Sequence, residues 1–97
     1  MIEWLKSELA LMRNDVCAIY LFGSALVSEV NASDIDIAVI VKGEAGSPPW
    51  ERSRSKCARV KKSFFCSFGI PLSILFLTPG EWREVEDIIV RERFQLI

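Results

Sequence analysis

The chain has 97 residues, with 12 basic side chains against 13 acidic ones, three cysteines and no histidine. That length holds one domain, 1–97, and the longest uninterrupted apolar run, Val16 to Phe22, is far too short to cross a bilayer. The missing histidine removes imidazole zinc sites and Ser-His-Asp triads, so any catalysis must rest on carboxylates and hard metal ions. The N-terminus, MIEWLKSELALMRND, carries acids among its apolar residues and shows no targeting signal, and a cytoplasmic location is the expectation. The odd cysteine count without a CxxC spacing fits free thiols buried in the core.

Charge is unevenly divided. Residues 1–49 hold three Lys/Arg against seven Asp/Glu, and residues 50–97 hold nine against six. Cations are thus favoured near the first half and anionic partners near the second. A mean hydropathy of +0.26 is apolar for so small a chain and points to an oligomeric or partner interface.

Ile2, Leu5, Leu9 and Met12 recur at helical spacing, which predicts an amphipathic helix over 2–13, broken by Asn14 and Asp15. VCAIYLF then reads as a first strand covered on both faces. Gly23-Ser24 ends it, a helical turn is expected from Ala25 to Val30, and Asn31-Ala32-Ser33 forms a polar turn before a second strand, DIDIAVIV. KGEAGSPP is a loop whose prolines prepare a helix from about Trp50 to Phe68, with Cys57, Val60, Phe64 and Phe68 on its buried stripe. Gly69 stops that helix, and Ile70 to Leu77 reads as a third strand. Thr78-Pro79-Gly80-Glu81 is a capping-box signature opening a last helix through about Phe94. The expected class is α/β (α+β), a small mixed sheet of three or more strands flanked by helices in the order αβ(α)βαβα.

Asp34 and Asp36 stand two apart in a strand, so their side chains share a face with Cα atoms roughly 7 Å apart. Beyond them the strand is apolar on both faces, which sets two carboxylates at the rim of a buried surface. A divalent cation relieves that cost, and paired carboxylates completed by water and phosphate oxygens suit Mg²⁺. If the first two strands pair antiparallel, Gly23 and Ser24 reach the same sheet edge. Glycine there lets backbone approach a phosphate closely, and the serine hydroxyl with neighbouring amides donates to its oxygens. Read singly, each of these motifs is also an ordinary turn or cap. Arg52, Arg54, Lys56, Arg59, Lys61 and Lys62 form a basic face that is either solvated or a contact for RNA or a triphosphate. Trp4, Trp50 and Trp82 lie near helix starts, where packing accounts for them.

Taken together, FGSALVSEVNASDIDIAVIV resembles the signature of the superfamily of DNA polymerase β and kanamycin nucleotidyltransferase, and the short chain is similar to its minimal nucleotidyltransferases. The resemblance, over roughly residues 17–82, implies a mixed sheet, Mg²⁺, a nucleoside triphosphate such as ATP, and transfer of a nucleoside monophosphate to a protein or nucleic-acid acceptor. It assigns the outer phosphates to Gly23 and Ser24 and the metals to Asp34 and Asp36. It also wants a third carboxylate at the start of the next core strand, in a phrase similar to PLSILFLTPGEW, and Ser73 stands there. The spacer between Ser24 and Asp34 is one residue shorter than usual, without the glycine and arginine often found in it. A neutral hydroxyl is a poorer ligand for a hard cation and a poor base, so binding is expected to exceed turnover. The alternative reading is a catalytically impaired module, such as the antitoxin-like partner of a small helical HEPN protein. A plain α/β domain with an accidental motif is the third.

Overall fold

The computed structural model of the chain describes residues 1–23, 34–87 and 93–97. The first amphipathic stretch forms α1 (Ile2–Leu9) and tightens into a 3-10 turn over Ala10–Met12, burying Leu5, Leu9 and Met12. The continuous apolar run is β1 (Val16–Phe22), and it pairs antiparallel with β2 (Ile35–Val41). Between Val16 and Ala18 the register slips by one residue, a bulge. Cys17, at this slip, is exposed, and its thiol donates to the Val41 carbonyl at 3.6 Å.

Helix α2 (Pro48–Phe68) starts at Ser47 with two prolines in its first turn, where their missing N–H groups cost nothing, and ends on Gly69 at φ +70°. Its buried stripe is Ser53, Cys57, Val60 and Phe64. Phe68 sits at the margin, packed edge-on against Trp4. The expectation of buried thiols holds for Cys57 alone, whose burial pushes it up to about 12, since Cys66 faces solvent like Cys17. Strand β3 (Leu72–Leu77) lies parallel to β2, and the capping box at Thr78 and Glu81 opens α3 (Pro79–Val85) as expected.

The C-terminus corrects the expected order. The last helix does not run to Phe94: α3 ends at Val85, and Arg93–Gln95 form a short strand, β4, antiparallel to β1. Extended backbone lets the Leu96 amide donate to the Ile19 carbonyl at 2.7 Å and buries Leu96 in the core, which a continuing helix would not do. The sheet order is therefore β3-β2-β1-β4, four mixed strands flanked by helices.

The two sheet faces differ. Ile19, Leu21, Ile35, Ile37, Val39, Val41 and Leu72 point toward α1 and α2 and make the main core. On the opposite face Ala38 and Ile40 are buried beneath Tyr20, Phe22, Leu75 and Trp82. There Trp82 of α3 stacks on Tyr20 with ring centroids 5.2 Å apart, and the Arg93 guanidinium lies 5.1 Å from both rings. No described helix is long and apolar enough to cross a membrane.

Candidate functional site

Strand register assembles one row of residues across the second face. Ser73 of β3 is the neighbour of Asp36 in β2, Asp36 pairs with Phe22 in β1, and Phe22 pairs with Arg93 in β4. Because paired residues share a face, all four project to the side away from α1 and α2. Asp34, just before β2, joins this row through its side chain: the Ser73 hydroxyl donates to Asp34 Oδ2 at 3.3 Å. Asp34, Asp36 and Ser73 thus lie together at one end of the sheet.

Gly23 closes the site from β1. Its φ of +80° is a backbone conformation that favours glycine, and a Cβ built on it would meet Asp36 Oδ2 at 2.5 Å. Two independent constraints thus require glycine where the sequence offers it, and the backbone lies directly against the carboxylate. Ser24 and the turn expected over 25–30 fall outside the described residues.

Partial burial raises the Asp36 carboxyl above its ordinary value, and the neighbouring charge of Asp34 adds to the shift. No cation from the chain is paired with Asp36 among the described residues. Glu81, in the first turn of α3 beyond the far end of β3, is turned to a different task. Its carboxylate accepts from the Thr78 amide at 3.0 Å, which lowers its pKa, and from the Thr78 hydroxyl at the same distance.

The donor set is two carboxylates and a hydroxyl, all hard oxygen, which fits Mg²⁺ and not a soft or imidazole-seeking metal. Among the described residues no group of three or more acidic, cysteine or histidine side chains is placed to hold a metal ion. The basic residues of α2 lie elsewhere. That helix packs on the opposite face, Arg52 and Lys56 pair with Asp15, and Arg54 stacks on Trp50. This basic face therefore lies on the other side of the sheet from Asp34 and Asp36. The side chains that residue-by-residue reading missed are Tyr20, Trp82 and Arg93. Alternation along β1 puts Tyr20 on the same side as Phe22, but nothing local signals β4 and its arginine.

A mixed sheet of this order, with paired aspartates at the start of the strand shared by antiparallel and parallel neighbours, is the nucleotidyltransferase class of fold. Residues 6–92 match the family described as Polymerase beta, Nucleotidyltransferase, and the chain belongs to that family. A crystal structure of a proposed nucleotidyltransferase superposes with a TM-score of 0.61 at 27% identity, covering 98% of this chain and 96% of the other. A second, from Sulfolobus solfataricus, superposes at 0.59 with 22% identity over 98% and 78% of the two chains and shares the fold. No curated protein matches the sequence significantly.

Proposed function

We propose that this chain is a single cytoplasmic domain that binds a magnesium nucleoside triphosphate, ATP in the first instance, at the edge formed by Gly23, Ser24, Asp34 and Asp36. Asp34 and Asp36 would hold the metal, which neutralises phosphate charge and polarises the α-phosphorus toward attack. Gly23 keeps backbone close enough for phosphate oxygens to lie beside Asp36, and the adjoining amides and the Ser24 hydroxyl would donate to them. The reaction available to such a site is transfer of a nucleoside monophosphate from the triphosphate to a hydroxyl of a protein or nucleic-acid acceptor, the hydroxyl oxygen bonding the α-phosphorus as its bond to pyrophosphate breaks and pyrophosphate leaves.

One observation limits that reaction and supports a second reading. The third oxygen at the site is the Ser73 hydroxyl, which donates to Asp34, and among the described residues no third carboxylate stands there to serve the nucleophile. Tight binding with little turnover follows, and a nucleotide-binding module acting through a partner, such as the antitoxin-like companion of a HEPN protein, is the corresponding role. RNA contact through the α2 basic face and self-association are further partner readings. Exposed Leu11 and Phe65 supply apolar surface for the latter.

Isothermal titration of Mg-ATP, with and without EDTA, tests the binding reading, with a labelled-nucleotide transfer assay beside it. Metal-dependent binding that is lost in the D34N/D36N double variant is the expected result. Equal affinity in the double variant overturns the site, and brisk transfer by the unmodified chain overturns the role given to Ser73.

A further inference from the structure

β3 is an edge strand, and among the described residues nothing pairs with its outer side. The bond from the Ile35 amide to the Pro71 carbonyl fixes the phase of the parallel ladder. Ser73 and Leu75 turn their backbone groups toward β2, so Ile74 and Phe76 present N–H and C=O outward. Edge strands of soluble proteins are normally blunted by lysine, proline, a bulge or a covering segment. LSILFL has no charge and no proline within the strand. Ile74, Leu75 and Phe76 are only half-buried.

Alongside this edge runs a groove of about 400 Å³ between β3 and one flank of α2, lined by Arg54, Cys57, Ala58, Lys61, Ile74 and Phe76. Its floor is apolar and its helix-side rim carries two cations. Arg54 is held in place over the Trp50 ring at 5.1 Å, and Trp50 packs edge-on against Phe76. Backbone groups of Ile74 and Phe76 face outward while their side chains line the groove, so a strand added here hydrogen-bonds to the edge and drops every second side chain beside Arg54 and Lys61.

We propose that the β3 edge and its groove are a docking site for an extended acidic segment of another protein, added to the sheet as a further strand. Acidic residues on one side of that segment meet Arg54 and Lys61, with their methylenes on Ile74 and Phe76, and apolar residues on its other side lie beside Leu75. A second copy of the chain is disfavoured by charge. Antiparallel β3 pairing about a two-fold axis normal to the sheet keeps both copies of α2 on one side and sets the Arg54 and Lys61 cations of one copy against those of the other. Nucleic acid is disfavoured by the aliphatic floor and by the outward amides, which match a peptide backbone.

The test uses the full chain and two fluorescent synthetic peptides, one alternating Glu and Val and one alternating Lys and Val, with amide hydrogen exchange as the site-specific readout. The Glu-Val peptide is expected to bind at least about tenfold more tightly, the scale of two rim ion pairs, and to protect the Ile74 and Phe76 amides. The R54E/K61E variant should reverse the order of the two peptides, and K61E alone should narrow it if the double variant folds poorly by circular dichroism. Four results overturn the proposal: equal affinity for the two peptides, binding of neither, binding without protection at Ile74 and Phe76, or sedimentation showing that the free chain already self-associates with those amides protected. An oligouridylate that binds in the same groove while neither peptide does would assign it to nucleic acid instead.

Discussion

Asp15 and Asp36 sit at opposite ends of the β1-β2 pair and have opposite fates. Asp15, just before β1, is buried and accepts from Arg52 through both Nε and a terminal nitrogen, at 3.2 and 2.8 Å, with Lys56 4.0 Å away. The Arg52 hydrogen bond is the largest influence and holds the carboxyl below the usual carboxylate range despite burial. Asp36 has the burial and a neighbouring carboxylate with no paired cation among the described residues, and burial first, then Asp34, raises its carboxyl above its ordinary value. The first acid is completed by a cation of the fold, whereas among the described residues no cation pairs with the second. Unrelieved carboxylate charge of this kind is a mark of sites built for a cation or a proton rather than for stability.

The largest expected effect tests whether the incomplete end is short of one group only. Ser73→Asp or Ser73→Glu places a third charged oxygen at the position whose hydroxyl already contacts Asp34. Transfer should rise by roughly 10²-fold or more, the usual scale for a positioned acid/base group. It should also lower stability in the absence of metal, because a third carboxylate joins two that already repel. A labelled-nucleotide transfer assay with the variant and the parent side by side reads the effect. Unchanged transfer, with nucleotide binding intact, would mean that Ser73 is not what limits the chemistry.

Gly23→Ala comes next. The new Cβ meets Asp36 Oδ2 at 2.5 Å and sits on a backbone at φ +80°, so either the carboxylate or the β1 turn must move. Strain of this type costs on the order of 1–3 kcal/mol. Metal-dependent nucleotide affinity should fall by about tenfold or more, while the equivalent change at Gly80, where a Cβ meets nothing, leaves it unaltered. Calorimetric titration of the two variants measures the contrast.

Most of the frame that positions this end was legible because its signals are local. The two-faced apolarity of DIDIAVIV, the prolines and glycine bounding α2, the Thr78-Glu81 box and the parity of Ser73 each depend on a few adjacent residues. What was not legible depends on residues far apart in sequence. β4 is three residues long and exposed, and only pairing with β1 and burial of Leu96 make it a strand. The partnership of Asp15 with Arg52 spans 37 positions, so Asp15 reads locally as a helix breaker and Arg52 as one member of a basic face. Cys17 reads as core until the bulge displaces it.

The smallest effect is also the most direct break of the comparison, because single Asp→Asn changes at the two ends should move stability in opposite directions. Asp15 has a folded-state pKa below its unfolded value near 3.9. Its contribution is therefore present above that unfolded value and is lost as pH falls through the lowered folded one. Asp15→Asn should lower Tm at pH 7 by roughly 2–5 °C, the scale of a partly exposed pair in a chain of this size. The deficit should vanish in strong acid, where the parent's Asp15 is protonated too. Asp36 has the reverse sign: its folded pKa is raised, so its ionised form costs stability once pH exceeds that raised value, and the cost is absent below the ordinary carboxylate value. Asp36→Asn should leave Tm unchanged or raise it at neutral pH and make no difference in acid. Mg²⁺ sharpens the contrast. If it binds the folded site, it should raise the Tm of the parent and of Asp15→Asn but not of Asp36→Asn, since only a ligand that prefers the folded state stabilises it. Thermal melts by circular dichroism across acid to neutral pH, with and without Mg²⁺, measure all of these. A destabilised Asp36→Asn at pH 7 would show that this carboxylate is held by the fold after all, and the distinction between the two ends would be lost.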